Sequence, residues 1–142
     1  MRRDNLTLPL SENELWICLK SMRPYKAPGL DGIQLVFLQT QWSTIKSSFT
    51  KFAQDIFQGC HPIEHVNRTL ITLIPKVLAP ERISEFQPIG LYNVSYKILS
   101  KVLVNRVKNL LPSLIGEEQT SFISGRFITD NVIIVQEDIH SM

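Results

Sequence analysis

The sequence predicts an α+β fold, mostly helical, with one short antiparallel β-hairpin. Three observations predict it. Apolar residues recur at helical spacing over several separate stretches, one short run between them is apolar and β-branched, and prolines and glycines fall at the borders of these segments. The composition permits a packed core: of 142 residues, 44% are hydrophobic and 20% charged, a globular balance that argues against disorder.

The first helix is announced by Ser11-Glu12-Asn13-Glu14, a capping box in which the Ser hydroxyl and the Glu three residues later each satisfy an orphan backbone N–H. Leu15, Cys18, Leu19 and Met22 follow at helical spacing, and Pro24 and Pro28-Gly29 break what comes next. Asp31 or Gly32 is the expected cap of the following stretch. There Leu35, Val36, Leu38, Trp42 and Ile45, then Phe49, Phe52, Ile56 and Phe57, predict one or two amphipathic helices. Gly59 closes this region and Pro62 prevents its continuation.

Thr69-Leu70-Ile71-Thr72-Leu73-Ile74, stopped by Pro75, reads as a strand. After a polar turn through Ala79-Pro80-Glu81, Phe86-Gln87-Pro88-Ile89-Gly90-Leu91 reads as an edge strand beside it, because Pro88 has no N–H for a central ladder. From Val94 to Leu111 the apolar stripe Ile98, Leu99, Val102, Leu103, Val107, Leu110 and Leu111 predicts a helix ended by Pro112, with Lys97, Lys101, Asn105 and Lys108 on its polar face. A helical turn is expected within residues 115–122 and a loop at Gly125-Arg126. Thr129-Asp130 is the expected cap of a last helix from Asn131 to His140.

Net charge is only +2, too little to identify a polyanion binder by itself. The distribution says more: from Val66 to Leu111 there are Arg68, Lys76, Arg82, Lys97, Lys101, Arg106 and Lys108 against Glu81 and Glu85. Such a segment suits a polyanion or a solvated helix face. Two distant cysteines, Cys18 and Cys60, make no disulfide framework. No run reaches the length of a membrane span and no apolar stretch follows Met1-Arg2-Arg3, so an intracellular protein away from the membrane is expected.

Catalytic constellations are weak. Two-metal phosphoryl transfer needs carboxylates converging on one side. The adjacent pairs Glu117-Glu118 and Glu137-Asp138 point in different directions on a helix, and the first is better explained by the macrodipole. Cys60, His61 and His65 fall short of four zinc ligands, and Pro62 disturbs their face, so no metal site is expected. The serines have no nucleophile elbow, and no Walker loop is present. Gly125-Arg126 admits a close backbone approach and a phosphate pairing, though a dipeptide is slight. Lys97, Lys101 and Lys108 suit a nucleic-acid backbone or plain solvent, and for Arg106, nearer the apolar stripe, a structural salt bridge is the rival.

Several blocks, in order, resemble the reverse transcriptase of plant LINE-type, non-LTR retrotransposons. Lys26-Ala27-Pro28-Gly29-Leu30-Asp31-Gly32 resembles that family's Pro-Gly-x-Asp-Gly block, and Leu70-Ile71-Thr72-Leu73-Ile74-Pro75-Lys76 its first fingers strand. Phe86-Gln87-Pro88-Ile89-Gly90-Leu91-Tyr92-Asn93-Val94, with Tyr96 to Leu103 and Asn105-Arg106, is similar to the next block. Gln119-Thr120-Ser121-Phe122, Gly125-Arg126 and Thr129-Asp130-Asn131 are similar to the one after. The likeness spans about Leu10 to Met142, and ordered blocks are far more specific than any one of them.

The resemblance implies the mostly helical fingers subdomain of a right-hand polymerase, with the palm largely missing. Residues 1–62 would be a helical N-terminal extension and 63–142 a partial reverse transcriptase domain, fingers and the start of the palm. Lys76 and the Arg of a Phe-Arg-Pro-Ile motif would hold the incoming triphosphate. Lys97, Lys101, Arg106 and Lys108, with Gln119, Gly125 and Arg126, would bind template and shape the nucleotide pocket. The implied partners are an RNA or RNA/DNA template-primer, held weakly, and the remainder of the palm.

Two departures qualify this picture. Gln87 stands where the motif carries Arg, and an amide supplies neither a cation nor a bidentate fork. The family's metal-binding aspartates would lie beyond Met142. No cofactor is expected for this segment, Mg2+ serving the full-length enzyme, and the segment is expected to be inactive alone, with its palm-facing apolar surfaces left open. A small helical interaction module and a decayed reading frame without function are the alternatives.

Overall fold

The computed structural model describes residues 6–116, together with 119, 123, 125–127, 129, 133, 136, 139 and 140. These form two compact units, one of Pro9–Val102 and one of Met1–Leu8 with Leu103–Met142.

In the larger unit, helix α1 (Glu12–Lys20) starts as its capping residues require. Ser11 is extended and its hydroxyl accepts the Glu14 N–H at 3.1 Å. Glu12 and Glu14 in the first turn and Lys20 in the last complement the helix dipole. The helix stops at Lys20, two residues before the expected end, because Ser21 donates its hydroxyl back to the Cys18 carbonyl at 2.7 Å. Leu15, Cys18 and Leu19 form its buried face.

Helices α2 (Leu35–Thr40) and α3 (Trp42–Phe57) meet at Gln41. The expected cap at Asp31 or Gly32 is corrected: Gln34 occupies the N-cap position without a side-chain bond. Asp31 is instead used inside the preceding turn, where its carboxylate accepts the Ile33 N–H at 3.1 Å and Gly32, at φ +67°, donates to the Gly29 carbonyl. An early α2 amide, that of Val36, is satisfied by the Pro24 carbonyl. Gln39 donates to the Leu19 and Met22 carbonyls and Gln54 to that of Leu10, so side-chain amides fasten α2 and α3 to the chain around α1.

The hairpin follows as β1 (Thr69–Pro75) and β2 (Phe86–Tyr92), antiparallel, pairing Thr69 with Tyr92 and Leu73 with Pro88. Its connection is tightened by a 3-10 turn at Ile83–Glu85, whose Glu85 carboxylate accepts the N–H groups of Glu81 and Arg82. Helix α4 (Val94–Lys108) buries Val94, Ile98, Leu99 and Val102. These join Leu10, Leu15, Leu19, Leu35, Leu38, Trp42, Ala53, Ile56 and Val66 in one core, continuous across position 62.

Of the predicted stripe of α4, Ile98, Leu99, Val102 and Leu110 are buried, whereas Leu103 and Val107, with neighbouring Val104, are exposed. The helix ends at Lys108, before Pro112, which sits in the first turn of a separate short helix α5 (Leu111–Leu114). There its missing N–H leaves no bond unmade. Described residues 115, 116 and 119 are not helical, and the rest of the stretch in which a turn is expected lies outside the described residues. Gly125 and Arg126 are in a loop, with Gly125 at φ +88°. Thr129, Ile133, Gln136, Ile139 and His140 are each helical, so Thr129 is itself helical where a cap is expected. Asp130 and Asn131, like Glu117, Glu118, Glu137 and Asp138, lie outside the described residues.

No helix among the described residues is long and apolar enough to cross a membrane.

Candidate nucleic-acid interface

The hairpin positions two of the sequence-predicted residues together. Gln87 lies opposite Ile74, and Lys76 follows two pairs later, donating its backbone N–H to the Glu85 carbonyl at 2.8 Å. Side chains alternate along a strand, so Lys76 and Gln87 share one face near the hairpin turn, as diagonal neighbours. Lys76 Nζ also reaches the Ser84 carbonyl at 3.3 Å. That face offers an anion one lysine and one neutral amide, half of the two-cation cradle the resemblance implies.

The remaining predicted cations divide into two groups. Lys97, Arg106 and Arg126 are spent on backbone carbonyls. Lys97 Nζ donates to Ala27 at 2.7 Å. Arg106 donates to Leu8 at 2.8 Å and Leu6 at 3.1 Å. Arg126 reaches the carbonyls of Ile115, Gly116 and Gln119, so Gln119 contributes its main chain to this loop. Each guanidinium or ammonium closes a segment of its own chain, Arg106 through carbonyl hydrogen bonds where a salt bridge is the expected rival. Lys101 and Lys108 have no hydrogen bond or ion pair among the described residues. They are separated by seven residues, so both project from one side of α4.

Lys97 belongs to a clasp that sequence reasoning missed. Asn93, just before α4, accepts the Asp31 N–H on its side-chain oxygen at 3.2 Å, and Lys97 one turn on holds Ala27. Gly29 sits so close that a Cβ there would collide with the Asn93 backbone nitrogen and its side-chain oxygen. Residues 26–32 are thereby pinned to the start of α4. The Lys97 ammonium is held below its usual pKa, first by desolvation, then by the nearby Lys26 charge, with Asp31 opposing. The available signals were an Asn at the helix border and a Gly in a conformation-sensitive loop, neither of which names its partner.

A groove of about 490 Å³ lies between α1, α2 and α3, lined by Trp16, Trp42, Gln39 and Lys46 among others. Trp16 stacks on Trp42 with centroids 5.5 Å apart, and Lys46 is paired with Glu12 at 2.9 Å, so the groove adds no net positive field at that lysine. Cys60 is exposed, and His61 lies 3.9 Å from the Asp55 carboxylate rather than in a ligand cluster. No group of three or more His, Cys, Asp or Glu comes together among the described residues.

No protein-family model matches the chain. Over 139 residues, 98% of its length, the chain is 30% identical to the Transposon TX1 uncharacterized 149 kDa protein of Xenopus laevis. The chain spans 11% of that protein's length.

Proposed function

We propose that this chain is a retrotransposon-derived segment of a reverse transcriptase of the non-LTR type, contributing nucleic-acid contacts rather than chemistry. The observation that carries the reading is the likeness to a transposon protein over 98% of the chain. It agrees with the ordered blocks from the Pro28-Gly29 loop through the hairpin to Gly125-Arg126. The sequence contains no Tyr-x-Asp-Asp run, so two-metal polymerisation would depend on carboxylates from elsewhere in a longer polypeptide.

Within this reading Lys101 and Lys108 are the residues open to a phosphate backbone, because neither makes a hydrogen bond or ion pair among the described residues. Lys76 and Gln87 form a one-cation site for a triphosphate, weaker than the family's. The test is RNA binding by anisotropy across a salt series. Wild-type affinity should fall steeply with salt, and Lys101→Glu with Lys108→Glu should flatten the log–log slope by about 1.4, two single-strand contacts. Absence of binding at low salt, or an unchanged slope in the double variant, would remove nucleic-acid binding from the proposal.

A further inference from the structure

The segment joining α1 to α2 is basic and displays an aromatic ring. From Lys20 to Leu30 it holds Lys20, Arg23 and Lys26 and no acidic residue. Tyr25, between the last two cations, is 78% exposed, more than any other aromatic residue described. Its ring has no aromatic partner among the described residues. A tyrosine ordinarily covers its apolar body and leaves only the hydroxyl wet.

The backbone beneath this ring is braced. The Met22 carbonyl accepts from the Gln39 side-chain amide at 3.0 Å, that of Pro24 from the Val36 N–H at 3.1 Å, and that of Ala27 from Lys97 Nζ at 2.7 Å. These bonds tie the segment to α2 and α4, and Pro24 fixes its own φ. Arg23, Tyr25 and Lys26 lie between the tied points, and all three are exposed. Neither Arg23 nor Lys26 makes a hydrogen bond or ion pair among the described residues. Lys26 also stands near Lys97: after desolvation its charge is the next cause of the lowered Lys97 pKa, with Asp31 opposing.

We propose that Tyr25 stacks on an unpaired base of a single-stranded nucleic acid, with the phosphates flanking that base held by Arg23 and Lys26. This site rests on the nucleic-acid reading and adds to it residues outside the predicted cations. Charge and ring together select the ligand. An acidic peptide would match the two cations but leave the tyrosine face without a flat partner. A duplex matches them too, yet its bases are already stacked and paired, so no face is open to Tyr25. An unpaired strand offers both phosphates and a π-face on every base, whatever the sequence. Because the turn is braced before the strand arrives, binding orders little of the backbone.

Anisotropy titrations of the full chain with oligouridine, a duplex and an abasic strand of equal length, across a salt series, test the site. Tyr25→Ala should weaken oligouridine binding roughly tenfold, and Tyr25→Phe, which keeps the ring, should stay near wild type. The loss should vanish on the duplex and on the abasic strand. Arg23→Gln with Lys26→Gln should flatten the log–log salt slope for oligouridine by about 1.4, two single-strand contacts. The site is overturned, with the nucleic-acid reading intact, if Tyr25→Ala binds oligouridine like wild type, if Tyr25→Phe is as weak as Tyr25→Ala, or if the abasic strand shows the same loss. A wild-type chain that holds polyglutamate as tightly as oligouridine assigns the patch to acidic peptides and overturns it as well. A chain that binds none of the nucleic acids at low salt overturns both the site and the reading it rests on.

Discussion

The helical core and the β-hairpin use similar apolar residues to opposite ends. In the core Leu15, Leu19, Leu35, Ile98 and Val102 are removed from solvent almost entirely, while in the hairpin Leu70, Ile71, Leu73 and Ile74 all remain exposed. The difference is one of layers. Each core helix has a second element against its apolar stripe, but a two-stranded sheet without a covering layer shields neither face. Helix α4 contains both situations in one element, buried from Val94 to Val102 and exposed at Leu103, Val104 and Val107. An apolar residue thus reports that a surface is suited to burial, and only the neighbouring layer decides whether burial happens.

Mutation should break this comparison most visibly in the core. Ile98→Ala or Leu15→Ala should lower the unfolding free energy by about 2–5 kcal/mol, since both side chains are fully enclosed. Ile71→Ala, the same kind of deletion on the hairpin, should stay within about 0.5 kcal/mol. Urea denaturation measures both. Equal losses at Ile98 and Ile71 would mean that the hairpin is covered in solution.

The clasp between the two regions of sequence ranks next. Gly29→Ala drives a methyl into Asn93 and should cost about 1–3 kcal/mol by overpacking. The collision includes the Asn93 side-chain oxygen as well as its backbone nitrogen, so Asn93→Ala should recover part of the loss in a double-mutant cycle. Strict additivity of the two changes would show that the loop does not rest on Asn93.

Local chemistry made much of the fold legible. Ser11 with Glu14 foretold the start of α1, Pro88 foretold an edge strand, and the β-branched run at residues 69–74 foretold β1. Asp31 misled because the same carboxylate suits a helix cap and a turn, and the choice was made by the Gly29–Gly32 turn. The candidate site was legible in a different degree. Position along α4 could place Lys97, Lys101 and Lys108 on a polar face. It could not tell Lys97, which reaches a carbonyl 70 residues away in sequence, from Lys101 and Lys108, which reach none among the described residues. Carbonyl acceptors belong to every residue alike, so the ends of such bonds leave no mark in the side-chain pattern. The hairpin register supplied what spacing could not, by bringing Lys76 and Gln87 to one face.

Lys97 also gives the clasp a pH signature. Its folded pKa lies below the unfolded value of 10.5, so over the alkaline range just under 10.5 the unfolded chain binds more protons. Stability contributed at this site should therefore rise as pH climbs through that window, opposite in sign to a lysine stabilised by an ion pair. Comparing the urea midpoint of the wild type with that of Lys97→Met across this range isolates the effect. A wild-type midpoint that falls relative to the variant would assign the ammonium a favourable charge partner instead of a desolvated one.

The smallest test returns to the core. Thr50 lies on α3, and its buried hydroxyl has no hydrogen-bond partner among the described residues. Burying an unpaired hydroxyl costs the water bond it gives up, and a methyl of the same shape does not incur that cost. Thr50→Val should therefore raise stability by about 1 kcal/mol despite the weaker helix propensity of a β-branched residue, which the two share. The same exchange at Thr72, exposed in β1, leaves the hydroxyl's hydration nothing to regain and should change stability by less than about 0.5 kcal/mol. A gain at Thr50 with none at Thr72 would show that the polar group is penalised only where a second layer excludes water. Equal responses would place Thr50 in contact with solvent and loosen the packing assigned to α3.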